Sequence, residues 1–469
     1  MTIDEFSSRQ IVKQGCDTSF IYWQLYREYL KKGSAVEVDF RSIVSWLKKG
    51  DQLTHQIHTY PAKLLPHIAH FFVNASEIYD DRRIVLDPFC GSGTVALEAS
   101  LVGAIPYVSD ANPLALLLTK VKTRPYEVCK LYAALQSIIK KAKKYRTAPR
   151  IDVVNHSLWY SSKIKSALER LLRSIREEPD NELRDFFLVA FSSVTRKLSY
   201  ADPNISVPVR LREKPSFASE VNNRIRARLE WVNGASVFDE FEKNCLANIA
   251  RIDETNKNFI RRSGAIKVGI DAKKLISPDG KGRLPNNSVS LVITSPPYGS
   301  AQKYIRASSL SLNWLEMAGP KDLSALEGRS IGREHVPAFR EVLGEKSFLS
   351  ENYIKLIEEV GGVNPTRAKI TQKYLEEMDL VVEEMARVVS PGARAVFVVG
   401  NNQVCGKTLR NDEFLVERFL ARGMDLELHL LDDIKSRGLM TKRNRTASII
   451  SRESVLVFKK RSTSDTAKS

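Results

Sequence analysis

The chain is poor in cysteine: five occur in 469 residues, at 16, 90, 129, 245 and 405, and no two are spaced C-x-x-C. An odd, scattered set excludes a disulfide framework and a cysteine zinc site, and fits a reducing cytoplasm best. No apolar run is long enough to span a bilayer, and Met1-Thr2-Ile3-Asp4-Glu5 lacks the basic-then-apolar order of a leader. A soluble, unprocessed protein without a membrane partner is therefore expected. Internal repeats and long low-complexity tracts are missing as well, so the chain reads as a globular core with additions and not as an array. Acidic residues are in deficit: 55 Asp plus Glu face 72 Lys plus Arg, a net charge of +17. That balance argues against a small acidic metabolite and for a polyanionic partner.

What is present divides the chain unevenly. Residues 1–50 carry Phe20, Trp23, Tyr26, Tyr29 and Leu30 at helical spacing, predicting a helical N-terminal extension. Within 51–125 an apolar run from Ile84, a glycine turn, a helix over 95–102 and a second strand at Tyr107–Asp110 open a doubly wound α/β sheet. Residues 126–263 break that rhythm with long helical patterns, a basic cluster (Lys140, Lys141, Lys143, Lys144, Arg146, Arg150) and a Pro-containing stretch from Asp202 to Pro215, and read as an inserted module. The α/β rhythm returns over 264–317 with Ser290-Leu291-Val292-Ile293. Residues 318–369 form a further insertion, and 370–460 complete the core with an apolar helix through Leu375, Met378, Val381, Val382, Met385 and Val388. Pro391-Gly392 is expected to end that helix before a buried strand at Ala395–Val399. A last strand at 454–458 precedes a tail, 461–469, of disordered composition.

Two turns carry the chemistry. Leu86-Asp87-Pro88-Phe89-Cys90-Gly91-Ser92-Gly93-Thr94 follows one strand and precedes a helix. Its glycines let the backbone turn sharply and approach a ligand. Asp110, at the end of the next strand, is placed to accept hydrogen bonds from both hydroxyls of a ribose. There is no Gly-Lys-Ser/Thr and no third glycine, so a nucleoside without phosphates suits the turn better than NAD or ATP. Asp87 can pair with an α-amino group, which S-adenosylmethionine has and dinucleotides lack. The second turn, Thr294-Ser295-Pro296-Pro297-Tyr298-Gly299, also ends a strand. Two prolines fix φ, remove amide donors and hold their carbonyls outward. Ser295 and the Pro296 carbonyl can then accept from a base amino group while Tyr298 offers a face for stacking. No Pro-Cys nucleophile is present, and none is needed for methylation at nitrogen.

Asp-Pro-Phe-x-Gly-Ser-Gly-Thr at 87–94 together with Ser-Pro-Pro-Tyr at 295–298 resembles the amino-methylating DNA methyltransferases. Members that methylate cytosine N4 commonly carry Ser before the two prolines, and adenine N6 members more often carry Asp or Asn. The resemblance implies a Rossmann-like doubly wound methyltransferase sheet, with residues 126–263 as a largely helical target-recognition module interrupting the core. It implies S-adenosylmethionine as cofactor and duplex DNA as partner. A cognate restriction endonuclease acting on the same site is a common companion in the family. His58-Thr59-Tyr60-Pro61-Ala62-Lys63 is similar to the family segment lining the methionine end of the cofactor, which adds Tyr60 and Pro61 to Asp87, Phe89, Gly91, Gly93, Thr94 and Asp110 as cofactor residues. Asp271, in Gly269-Ile270-Asp271-Ala272, takes the place of the acid that contacts adenine. Catalysis is then assigned to Ser295, Pro296, Pro297 and Tyr298. The resemblance spans about half the chain, leaving out 1–50, 126–263 and 318–369.

Competing readings stay open at this stage. Adenine N6 methylation or an RNA base methyltransferase would use the same cofactor turn; a non-enzymatic DNA-binding module and a dinucleotide oxidoreductase fit the turns less well. His55, His58, His67 and His70 form two H-x-x-H pairs, but the first lies in a polar loop pattern and this chemistry needs no metal. Cys90 is expected to pack beside the cofactor. Between Arg196 and Trp231 eight cations (Arg196, Lys197, Arg210, Arg212, Lys214, Arg224, Arg226, Arg228) face four acids, and Lys435–Arg445 adds five cations and no acid. These are read as phosphate contacts on a duplex. Recognition sequence and oligomeric state are not legible.

Overall fold

The computed structural model describes residues 17–47, 52–61, 63–299, 303–333, 348–434 and 451–462. The basic run 435–445 and the tail beyond 462 lie outside them.

Among the described residues ten strands occur: β1 (Val36–Val38), β2 (Ile84–Asp87), β3 (Ile105–Val108), β4 (Ile266–Lys267), β5 (Val289–Thr294), β6 (Val389–Val399), β7 (Asn402–Val404), β8 (Lys407–Leu409), β9 (Met424–Asp433) and β10 (Arg452–Lys460). Eight form one sheet in the order β1-β9-β10-β6-β5-β2-β3-β4, and β7 and β8 pair as a small hairpin. Every neighbouring pair in the large sheet is parallel except the two that β10 makes, with β6 and β9. The chain thus builds outward from β2 through β3 to β4, crosses back to β5 and builds the other way. This is a Rossmann-like methyltransferase fold, with the order reversing between β2 and β5. Ligands of open α/β sheets bind at such a reversal, outside the carboxyl ends of the strands.

Alternation along the buried strands sorts side chains to two faces. Leu86, Val292, Ala395, Phe397 and Leu456 point to one, where helices Glu351–Val363, Pro365–Val388 and Asn411–Leu420 pack. Val85, Leu291, Ile293, Val396 and Val455 point to the other, under helices Ser19–Lys32, Pro66–Asn74 and Thr94–Leu101.

The 126–263 segment is helical throughout its regular structure: Val128–Lys144, His156–Trp159, Ser162–Arg176, Asn181–Lys197, Ser219–Gly234 and Val237–Asn258. Ile164, Leu168, Leu171, Leu172 and Ile175 make one apolar stripe of the third helix, and the Ser161 hydroxyl accepts from the Ile164 amide to cap it. The module has no core of its own. Phe186, Phe187 and Phe191 share one cluster with Leu114, Leu118 and Val121 of helix Pro113–Thr123 and with Leu312 and Trp314 of helix Tyr304–Trp314.

Three expectations are revised. The 1–50 segment is not only helical, since Val36–Val38 pairs in parallel with β9 at the sheet edge. Pro391-Gly392 does not end the long helix, which stops at Val388; it sits inside β6, where the register against β5 shifts between Val289 and Leu291. A proline without a ladder donor is tolerated at such an irregularity. The stretch around His55 is no polar loop but a buried 3-10 turn, Leu53–Ile57.

Candidate active site

The carboxyl ends of β2, β3, β4 and β5 surround a cavity lined by Tyr60, Phe89, Gly91, Asp110, Asp271 and Ser295, among others. It holds about 650 Å³ of atom-free space, the open solvent at its mouth included.

The turn after β2 is shaped by glycine. Gly93 has φ +76°, and a Cβ there would lie 2.7 Å from Thr119 Oγ1 and 3.0 Å from Thr119 Cα. Only glycine brings the turn this close to helix Pro113–Thr123. Gly91 has φ +46° and packs against the Tyr60 ring, 3.5 Å from where its Cβ would be. The Gly91 amide donates to Asp110 Oδ2 and the Asn112 amide to Oδ1, both at 2.8 Å. Burial pushes the Asp110 carboxyl up to about 6 against those two bonds. Asn112 caps helix Pro113–Thr123, accepting from the Leu114 amide, and its Nδ2 donates to Tyr60 Oη at 3.0 Å and Ser308 Oγ at 3.1 Å.

Asp87 lies deeper. It is 4% exposed and is not among the cavity-lining residues; its Oδ1 accepts from the Phe89 amide (3.1 Å) and from Thr294 Oγ1 (2.8 Å). Burial raises its carboxyl to about 7. It therefore ties the two turns together across the reversal of strand order. Gly93 and Thr94 shape the turn from behind, with Thr94 buried and its hydroxyl 3.1 Å from Ser92 Oγ. Pro61 is half-buried and lines no part of the cavity. Cys90 is enclosed in the apolar cluster, and burial drives its thiol well above the ordinary range, which leaves it inert at neutral pH. Asp271 faces the cavity half-exposed, with Oδ1 accepting from the Lys273 amide at 3.0 Å.

The turn after β5 is held by side chains from far along the chain. Tyr374 Oη donates to the Pro297 carbonyl (2.9 Å), and Asn402 Nδ2 donates to the Gly299 carbonyl (3.0 Å). Gly299 has φ +62°, and a Cβ there would press on the Tyr374 ring at 3.2 Å. Gly332, φ +73°, packs against Pro297 from the 318–369 segment, whose Arg329, Ser330 and Ile331 line the cavity. Ser295 and Pro297 line it too, while Pro296 is buried. The Pro297 and Gly299 carbonyls being taken, the Pro296 carbonyl is left without a partner among the described residues. Tyr298 Oη lies 3.0 Å from Ser295 Oγ and donates to Glu453 Oε1 at 2.9 Å.

The four histidines do not converge. His55 Nε2 and His70 Nδ1 bond opposite oxygens of buried Glu98, at 2.6 and 3.0 Å, while His58 meets Ser192 and His67 the Leu47 carbonyl. Burial opposes the Glu98 carboxylate, but the two histidines outweigh it and hold its pKa at about 2. Among the described residues no group of three His, Cys, Asp or Glu is arranged to hold a metal. This cluster braces the 53–60 segment that carries Tyr60.

Of the site residues, the sequence missed Tyr374, Asn402, Glu453 and Asn112. Asn112 carried a signal, as an Asn-Pro start to a helix. The other three lie a hundred residues or so from the turn they hold and carried none.

Comparison with known proteins agrees with this geometry. A family model described as an RMKL-like, methyltransferase domain matches residues 55–155, the stretch from His55 through the glycine turn and Asp110. The type II methyltransferase M.MvaI of Kocuria varians is 26% identical over 392 residues, 78% of this chain and 81% of that protein. The type II methyltransferase M.MjaII of Methanocaldococcus jannaschii is 30% identical over 195 residues, 39% of this chain and 36% of its own length. Among solved structures, the rRNA methyltransferase aviRa from Streptomyces viridochromogenes aligns over 86% of this chain and 88% of its own, at 12% identity and a TM-score of 0.29, too loose a likeness to add to the fold.

Proposed function

We propose, for a chain whose fold and relatives are those of a methyltransferase, that it methylates an exocyclic amino group of a base in duplex DNA, with cytosine N4 as the target. The observation that carries this reading is the pairing of two turns at one cavity: a glycine turn with a partly buried ribose-type carboxylate, Asp110, and a proline-locked turn whose Ser295 and Pro297 line the same space. The chemistry of the lining suits S-adenosylmethionine. Asp110 is the acceptor for ribose hydroxyls, Asp271 for the adenine edge, and Tyr60 and Phe89 supply apolar walls. Asp87 keeps Oδ2 clear of the bonds it makes through Oδ1 and is the candidate partner for the amino group. When bound, the cofactor supplies an electrophilic methyl group on a sulfonium.

The chain's own residues do the rest. A base amino group inside a duplex cannot reach the cavity, so the base is extruded. The Tyr298 ring stacks on it, its orientation fixed by the bonds at Oη. Ser295 Oγ and the Pro296 carbonyl accept the N–H groups, aim the nitrogen lone pair at the methyl carbon and draw electron density toward nitrogen. Ser295 in place of an acid or amide is the ground for preferring cytosine N4.

Residues 126–263 are assigned to the duplex. Lys140, Lys141, Lys143, Lys144, Arg146 and Arg150 are all exposed, and none forms an ion pair with a described residue, as phosphate contacts require. The second basic stretch contributes less than its charge suggests. Arg196 turns inward to the carbonyls of Asp202 and Ile205, Lys197 pairs with Glu240, Arg226 with Glu213, and Arg228 lies over Trp231. Arg212, Lys214 and Arg224 remain exposed there. A companion endonuclease acting on the same site belongs to this reading.

Nucleoside mass spectrometry on DNA incubated with the protein and isotopically labelled S-adenosylmethionine tests it. Labelled N4-methylcytosine is expected. N6-methyladenine would keep the chemistry and overturn the Ser295 argument, and label in RNA alone would overturn DNA as substrate. Asp110→Ala should weaken cofactor binding by calorimetry about tenfold or more, the value of a charge-assisted hydrogen bond.

A further inference from the structure

Methylation at nitrogen leaves a surplus proton, and the turn after β5 has a route for it. Ser295 Oγ sits 3.0 Å from Tyr298 Oη, and Tyr298 Oη donates to Glu453 Oε1 at 2.9 Å. Glu453 lies on β10 in register with Asp432 of β9. Arg41, from helix Phe40–Ile43 of the N-terminal segment, acts on both carboxyls, and its Nη1 is buried without a hydrogen-bond partner. Sequence reading gave the N-terminal segment no role, yet it stands at the far end of this line of groups.

Resting on the proposed amino-group methylation, we propose that Ser295, Tyr298 and Glu453 form a proton path from the target nitrogen, with Glu453 as its terminal acceptor. The nitrogen lone pair forms the new N–C bond while the C–S electron pair stays with sulfur, and the nitrogen becomes cationic. One N–H bond then breaks, its electrons staying on nitrogen. The proton passes to Ser295 Oγ, the Ser295 proton to Tyr298 Oη, and the Tyr298 proton to Glu453 Oε1. Both hydroxyls end as they began and one carboxylate has become a carboxylic acid, which returns its proton to solvent. Glu453 acts through Tyr298 and Ser295 and does not touch the base.

Three features suit Glu453 to this task. Burial raises its carboxyl above the ordinary range, so it holds a proton more readily than a surface glutamate. The charged groups that act on it are Arg41 from the N-terminal segment and Asp432, its register partner on β9; Asp39 acts on Asp432, and Arg452 is paired away with Asp433 and Glu37. The Tyr298 hydrogen bond and Arg41 pull the other way, toward the ionised form.

The test is single-turnover methyl transfer with cofactor and DNA already bound, beside calorimetric cofactor affinity and melting temperature. Glu453→Gln keeps an oxygen for Tyr298 but cannot take a proton. Its rate should fall about 100-fold, the lower range for proton transfer, with affinity and melting temperature unchanged. The wild-type rate should decline toward acid as Glu453 protonates, and that decline should vanish in the variant. Asp432→Asn controls for the neighbouring carboxyl and should keep the decline. Tyr298→Phe breaks the path at its centre, and adding Glu453→Gln to it should cost nothing more. A Glu453→Gln variant as fast as wild type, or one that keeps the acid decline, or one whose rate falls only in step with its melting temperature, overturns the path alone. Wild-type protein that methylates no exocyclic amino group overturns the proposed function with it.

Discussion

The two turns at the cavity are built on opposite principles. The turn after β2 is nearly self-sufficient: two glycines at positive φ shape it, and the carboxylate that receives its amide, Asp110, lies 19 residues on. The turn after β5 supplies rigid prolines but is positioned by others, with Tyr374 77 residues away, Asn402 103 and Glu453 155. A ligand-cradling turn can be encoded in one short stretch because backbone conformation does the shaping. A turn that must aim side chains needs walls, and walls come from wherever the fold brings them.

The contrast can be broken by experiment. Gly93→Ala strikes the self-sufficient turn at its tightest point. The positive φ and the approach to Thr119 Cα together should cost about 2–4 kcal/mol, read in urea denaturation, and cofactor affinity should fall with it. A loss of only a few tenths would mean that the turn leans on outside support after all. Tyr374→Phe strikes the dependent turn at a distance. It leaves the Pro297 carbonyl and the Asn411 side chain without their shared partner, at about 1–3 kcal/mol, and methyl transfer should drop about tenfold or more while cofactor affinity holds. If cofactor affinity falls equally, the turns are not separable.

The smallest effect concerns Asp87, the bond between them. Its folded-state pKa of about 7 stands above the ordinary 3.8. The fold therefore binds this proton more tightly than the unfolded chain does, and the stability it contributes is full below about pH 4 and lost as pH rises through 7. Asp87→Asn cannot ionise. Its melting temperature should match wild type near pH 4 and rise above it as pH passes 7, in a calorimetric pH series. An unchanged difference across that range would mean that Asp87 is already neutral or externally paired.

The same contrast explains what the sequence revealed. Gly91, Gly93 and Asp110 were legible because their partners are near in the chain and glycine announces a positive φ. Ser295 and the prolines were legible as chemistry, but Tyr374 and Glu453 read as ordinary members of a helix and a strand. Asp87 was legible as a possible partner for a ligand's amino group, but its bond to Thr294 across the sheet was not. The module was legible as long helical patterns, yet nothing in that periodicity told that Phe187 and Phe191 would share a core with Leu312 and Trp314. Three residues, Val36–Val38, are too short a run to read as a strand, and only pairing with β9 makes them one.

That edge strand also dictates an order of events. During synthesis the helical module can complete its hydrophobic face only once helices Val237–Asn258 and Tyr304–Trp314, which share its core, have emerged. β1 (Val36–Val38) finds no partner until β9 (Met424–Asp433) has been added. Until then Val36 and its neighbours are an unpaired edge, the kind of surface that recruits chaperones or other nascent chains. Closure of the sheet is thereby deferred until β9 has been made, and the segment that carries Arg41 reaches Glu453 only after β10 has joined β9.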